Sequence, residues 1–470
     1  MPRRFNVRFT TTKQVPVHKP TACEQCSQYS EIGAPPQRSR SGCKECKRRR
    51  VKCDETFPVC LRCQKRRTVC ESESSFPQWQ LEIPALISRG IISPSQKRLL
   101  RHWCEKASQI MVLDPESNPF SFPILEYLHI SPSLMPTILS ISAAHEQFFR
   151  KESLETCLEE RGKALLLLQK ELSGRQQPHP ITFLSVFMLG ISTPWIDPSP
   201  SQFGYEHLNG ARALIELIIN SSTNIDRKFA QLALGTYLYW DMACSFLFEP
   251  SQRFTINSSI PEAVAKIAGD FHPVMGYSAE IMYTLASLGR YCRSFIDFGI
   301  RDTALEEQSE AWLLAWQPTT KDPDLILLGN SFRNHGLINL YRICGRTAGR
   351  TGEGLDMDNY SPVVNIETEK VIRQYALQTV RDLSLIPTHN WHTNLQAISL
   401  LTAGSELTID DRRERDMVVD RFNALYSINR LPGNLMAIDI LQDVWQFRDL
   451  EITMSWVHIM LLRGWRLSLG

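Results

Sequence analysis

No run in this chain is apolar for long enough to suggest a helix that crosses a bilayer. The nearest candidate, Phe229–Phe248, is interrupted by Gln231 and Asp241, so a buried helix of a large all-α domain is expected there instead. An apolar segment of the secretory type is also missing from the first residues. Residues 1–22 carry Arg3, Arg4, Arg8, Lys13 and Lys19 without one acid. Such a composition is shared by transit peptides, but no apolar face accompanies it, and a disordered basic arm is expected. Signatures of catalysis are absent as well: no phosphate-cradling glycine loop, no zinc-protease helix motif and no nucleophile elbow. Nothing here therefore predicts an enzyme. His145 and His207 read as hydrogen-bonded packing residues, and Cys104, Cys157, Cys244, Cys292 and Cys344 as core thiols, since none has a C-x-x-C partner. The ten tryptophans, Trp240, Trp312, Trp316, Trp445 and Trp456 among them, read as core.

What is present is strongly uneven. A hydrophobic content of 43% over 470 residues is enough for a sizeable core, and the length suggests two or three domains. The net charge of +2 conceals a basic end: residues 1–70 hold seventeen Lys or Arg against five Asp or Glu. A polyanion would bind at that end. Within it lies CKECKRRRVKCDETFPVCLRCQKRRTVC, residues 43–70, with cysteines spaced C-x2-C-x6-C-x6-C-x2-C-x6-C. The stretch is an internal repeat: 43–53 aligns with 60–70 without a gap, across the loop DETFPV. A disulfide framework fits poorly, because disulfide-dense domains are small and secreted. Zinc fits better. Each half offers three thiolates, one short of the four that a tetrahedral structural zinc takes. Two ions can share six thiolates if two of them bridge. A second partition stays open: Cys23 and Cys26 with Cys43 and Cys46 also have the spacing of a four-cysteine site, leaving Cys53, Cys60, Cys63 and Cys70 for another zinc. Both partitions require two Zn2+ ions. The repeat favours the bridged one, with Cys43, Cys46, Cys53, Cys60, Cys63 and Cys70 as ligands.

In its six cysteine spacings, the basic run after the second cysteine, Lys52 before the third and Pro58 in the loop, the stretch resembles the fungal zinc binuclear cluster (Zn2Cys6) transcription factors. Shorter motifs further on resemble the fungal-specific regulatory domain that often follows such clusters. They are HWC (102–104), NPF (118–120), SAAH (142–145), HLNGAR (207–212), DVWQFRD (443–449) and GWRLSLG (464–470). The resemblance implies a nuclear regulator of RNA polymerase II genes that binds double-stranded DNA, with Cys43 and Cys60 as the bridging ligands. It further implies a short helix after the first C-x2-C that enters the major groove C-terminal end first, toward a CGG-type triplet. On this chain that end is Arg49, Arg50 and Lys52. Arginine can grip guanine O6 and N7 bidentately. Lys44, Lys47, Arg48 and Arg62 are phosphate candidates, and the second half adds Lys65, Arg66 and Arg67 but replaces Lys52 by Val69 and Lys47 by Gln64. The first half is thus the expected reader. A competing reading from another class is a zinc-stapled protein-interaction module that does not bind DNA; the intact basic run speaks against it. KRRR (47–50) and KRR (65–67) also suit a nuclear-import signal.

The expected architecture is mostly α: a disordered arm over 1–40, the cluster over 41–72, a linker over 73–95, and an all-α regulatory domain over 96–470. Pro77, Pro84 and Pro94 mark the linker, where no heptad predicts the coiled coil many relatives carry. Any self-association is then expected through 96–470. Helical spacing there groups Ile138, Ile141, His145 and Phe148; Leu158, Leu165, Leu168 and Leu172; and Leu208, Ala211, Ile215 and Ile218, each read as part of a helix. Pro432-Gly433-Asn434 predicts a turn with Asn434 as the N-cap of a following helix.

Overall fold

The computed structural model describes residues 43–54, 60–66, 68, 93–146, 153–174, 177–196, 203–221, 226–249, 258–345, 366–388 and 390–469. The arm, residues 73–92 of the expected linker, Cys23, Cys26, Arg67, Cys70 and Phe148 lie outside them, whereas Pro94 and Ser95, expected in the linker, already belong to a helix. Among the described residues the chain is helical, with no strand and a single antiparallel bridge between His272 and Gly276. Two short helices carry the cysteine repeat, α1 (Lys44–Arg48) and α2 (Leu61–Arg66). The rest begins with α3 (Pro94–Glu105), α4 (Leu134–Glu146), α5 (Ser153–Leu172), α6 (Thr182–Ile191), α7 (Thr193–Ile196) and α8 (Tyr205–Asn220). It continues with α9 (Arg227–Ala243), α10 (Ile260–Ile267), α11 (Ala279–Phe298), α12 (Thr303–Ala315) and α13 (Pro323–Cys344). The last five are α14 (Ile366–Leu385), α15 (Ala397–Ser405), α16 (Arg412–Asn429), α17 (Gly433–Asp449) and α18 (Trp456–Leu462).

Local chemistry starts these helices where it can satisfy their first N–H groups. Ser93 and Gln96 form a reciprocal capping box on α3, and Asp226, Asp302, Asp322 and Ser455 cap α9, α12, α13 and α18. Asn434 does not do this for α17. It lies inside the helix and donates to Asn429 Oδ1 at 2.9 Å, so the turn was placed correctly but the cap was not.

One continuous apolar core runs from Leu99 to Leu469. The Phe229–Phe248 run lies within it as α9 and a 3-10 turn, Ser245–Leu247, with Asp241 held by Arg290 at 2.8 Å. The ring of Trp240, fully buried, lies so close to Gly190 of α6 that a Cβ there would come within 2.3 Å of it. All five scattered thiols from Cys104 to Cys344 are buried. Trp240, Trp445 and Trp456 are core residues, whereas Trp312 and Trp316 are half-buried and stack on each other. His145 is buried, with Nδ1 2.9 Å from His102 Nε2.

A buried ionic knot joins four late elements. Arg342 of α13 holds Glu369 of α14 and Glu406 at the end of α15, the latter at 2.6 Å, and Arg448 of α17 holds the same Glu406 at 2.7 Å. Removing one partner from such a knot strands a buried charge and typically costs about 3–5 kcal/mol.

On α5 the structure departs from the sequence pattern. Its buried line is Ser153, Cys157, Glu160, Ala164 and Leu168; Leu158, Leu165 and Leu172 are exposed. The core side is made tolerable for polar groups by specific partners. Lys163 reaches Glu160 at 2.7 Å, and Glu171 accepts from Ser133 N at 2.7 Å and from the Ser131 and Thr182 hydroxyls.

Candidate metal centre and nucleic-acid interface

Helices of five and six residues are too short to persist alone, so what holds α1 and α2 must come from outside their backbones. Cys43 caps α1, its Sγ accepting from Cys46 N at 3.4 Å, and Cys60 Sγ accepts from Cys63 N at the same distance. At the other end, Val51 N donates to Cys46 O and Thr68 N to Cys63 O, each at 3.1 Å. The sequence repeat is therefore a structural one. Asp54, from the connection between the halves, adds a further cap: its carboxylate accepts from Leu61 N at 2.9 Å and Arg62 N at 3.3 Å.

This geometry buries Cys43, Cys46, Cys53, Cys60 and Cys63 together, with Val51 packed against them. The sulfurs of Cys43, Cys46, Cys60 and Cys63 all lie within 4.8 Å of one another. Cys43–Cys60 is 3.8 Å, Cys43–Cys63 3.6 Å and Cys46–Cys60 3.6 Å. Tetrahedral zinc with Zn–S bonds of about 2.3 Å places its sulfurs about 3.8 Å apart, so the donor set fits that ion. Burial, then the Cys43 sulfur beside it, push the Cys46 thiol up to about 12. Keeping such neighbours as thiolates calls for a cation of high charge.

The basic side chains project from this centre. Arg50, Lys52, Arg62, Lys65 and Arg66 are exposed, as are Lys44 and Arg48. Two arginines are not simply free for a partner. Glu45 accepts from Arg48 Nε and Nη2, each at 2.9 Å, and from Arg49 Nε. The Arg48 bonds, then Arg49, lower the Glu45 carboxyl to about 2. Sequence reading passed over Glu45, though an acid three and four residues before arginines on a helix is a recognisable signal. Arg50 sits at φ 57°. It occupies the left-handed position of a Schellman motif, with Val51 N on Cys46 O and Arg50 N on Lys47 O, the place where glycine is usual.

Residues 41–80 match the fungal Zn(2)-Cys(6) binuclear cluster domain, and residues 98–470 match the fungal specific transcription factor domain. The chain belongs to the fungal zinc-cluster transcription factors. It carries that family's zinc-cluster domain near its start and the fungal specific transcription factor domain over most of its remaining length. Among curated proteins it is 40% identical over 60 residues to transcriptional regulatory protein moc3 of Schizosaccharomyces pombe. It is 59% identical over 32 residues to lysine biosynthesis regulatory protein LYS14 of Saccharomyces cerevisiae. These matches cover 13% and 7% of this chain but only 11% and 4% of the relatives' own lengths.

Proposed function

We propose that this zinc-cluster factor acts in the nucleus on RNA polymerase II genes, reading a CGG-type triplet through a centre of two zinc ions. Cys43, Cys46, Cys53, Cys60, Cys63 and Cys70 are the proposed ligands, with Cys43 and Cys60 bridging. The observation that carries this is the pattern of sulfur contacts: Cys43 lies 3.8 Å from Cys60 and 3.6 Å from Cys63, and Cys60 lies 3.6 Å from Cys46, so that Cys43 and Cys60 each touch both halves. Bound there, zinc supplies the folding free energy that two short helices lack. Arg49, Arg50 and Lys52 are the proposed readers, with Lys44, Lys47, Arg48, Arg62, Arg66 and Arg67 against phosphates. The exposure of Arg50 and Lys52 at the end of α1 supports that assignment. The proposed organisation is an arm over 1–40, the cluster over 41–72, a linker over 73–95 and a regulatory domain over 96–470, through which the chain self-associates.

The test uses the full chain with Cys23→Ser and Cys26→Ser. Two zinc ions per chain and unaltered binding to sites selected from random duplex DNA are expected. Loss of one zinc would point to two separate four-cysteine sites instead.

A further inference from the structure

We propose that α5 is the self-association surface, pairing antiparallel with α5 of a second copy; this rests on the reading that the chain self-associates through 96–470. Leu158, Leu165 and Leu172 recur every seven residues and so share one stripe, with Leu154 one turn before them. All are exposed, and Leu158 and Leu166 are 53% and 62% so. A continuous apolar stripe on a surface helix marks an interaction face rather than scattered surface leucines.

Two further features specify a second copy. Gly162 lies between Leu158 and Leu166, and a Cβ built on it would meet nothing within 4 Å. Glycine weakens a helix relative to alanine, and no close approach among the described residues requires it here. At the centre of a helix pair it would let two backbones approach closely. The charges along α5 are also polarised. Glu155 and Glu159 are exposed in its first half, Lys163 and Lys170 in its second. An antiparallel two-fold pair sets Glu155 against the partner's end that carries lysine, and does so twice, once at each end. A parallel pair would oppose like charges.

The full chain at micromolar concentration should sediment as a dimer, and Leu158→Glu with Leu165→Glu as a monomer. Both positions are exposed, so that variant should keep its helical circular dichroism and its binding to a single DNA triplet. A monomeric wild-type chain would overturn self-association altogether. A dimer that survives the double substitution would overturn α5 as the surface while leaving self-association standing. Orientation is tested separately. Glu155→Lys alone and Lys170→Glu alone should each weaken the dimer several-fold, and the two together should restore it. Fifteen residues of helix separate these side chains by about 22 Å, so rescue can come only across copies. Failure to rescue would overturn the antiparallel arrangement.

Discussion

Arg50 holds a backbone conformation that an L-residue adopts only at a cost. An L-residue in the left-handed region costs about 1–2 kcal/mol, and glycine avoids that cost. Arginine at φ 57° is therefore poor for folding the module, whereas its exposed side chain at the end of α1 is the one proposed to read a base edge. Arg50→Gly is expected to stabilise the zinc-loaded module by about 1 kcal/mol in denaturant unfolding. The same change should weaken binding to the preferred DNA site by about 1–3 kcal/mol and relax base preference. Arg66→Ala should instead weaken all sequences alike and flatten the salt dependence. If Arg50→Gly retains full selectivity in a competition assay, the reader has been placed wrongly. The cysteine spacing was legible in the sequence because metal ligation imposes it directly. The left-handed turn was not, because an arginine carries no mark of its φ angle.

At the scale of elements, α5 separates what periodicity reports from what it does not. Seven-residue spacing showed that Leu158, Leu165 and Leu172 align, and they do; it gave no means of telling which face of the helix the rest of the chain covers. Ser153 is buried with its hydroxyl donating to Glu146 of α4, a partner from another helix, and Glu160 is buried against Lys163 of α5 itself. The stripes Ile138, Ile141 and His145 and Leu208, Ala211, Ile215 and Ile218 do face the core, where no such compensation competes. For α2 the informative contact also crosses between elements. Asp54 caps it from the preceding connection, and loss of a cap costs about 1 kcal/mol. Asp54→Ala should lower zinc affinity of the module severalfold in competition with a chelator, with the cysteines untouched. Unchanged affinity would mean that the metal alone sets the helix.

Across the whole molecule, buried histidines set the response to acid. Burial lowers His145 and His335 to about 3 and His272 to about 4. An unfolded histidine titrates near 6.5. Between that value and the folded ones the unfolded chain binds protons that the folded chain refuses, so stability is complete above about pH 6.5 and falls as pH drops. Each group contributes a slope of at most about 1.4 kcal/mol per pH unit. Glu406, buried yet held below the usual carboxylate value by Arg342 and Arg448, adds its loss only at more acid pH, as its folded pKa is crossed. Urea midpoints measured at pH 7.5, 6.5 and 5.5 should fall over the last interval; a flat profile would rule this out. The all-α class was legible from the pattern of the chain, and so was His145 as a packing residue on its helical stripe; His272 and His335 were not separable from ordinary surface histidines, since their burial is decided by elements far apart in sequence. Every described cysteine is likewise inside, five around the metal centre and five in the helical core. The folded, metal-loaded protein should accordingly hide those thiols from an alkylating reagent. Chelation would release the first set and denaturation the second, so counting labelled cysteines by mass turns the chain into its own two-channel clock, timing metal loss and unfolding independently.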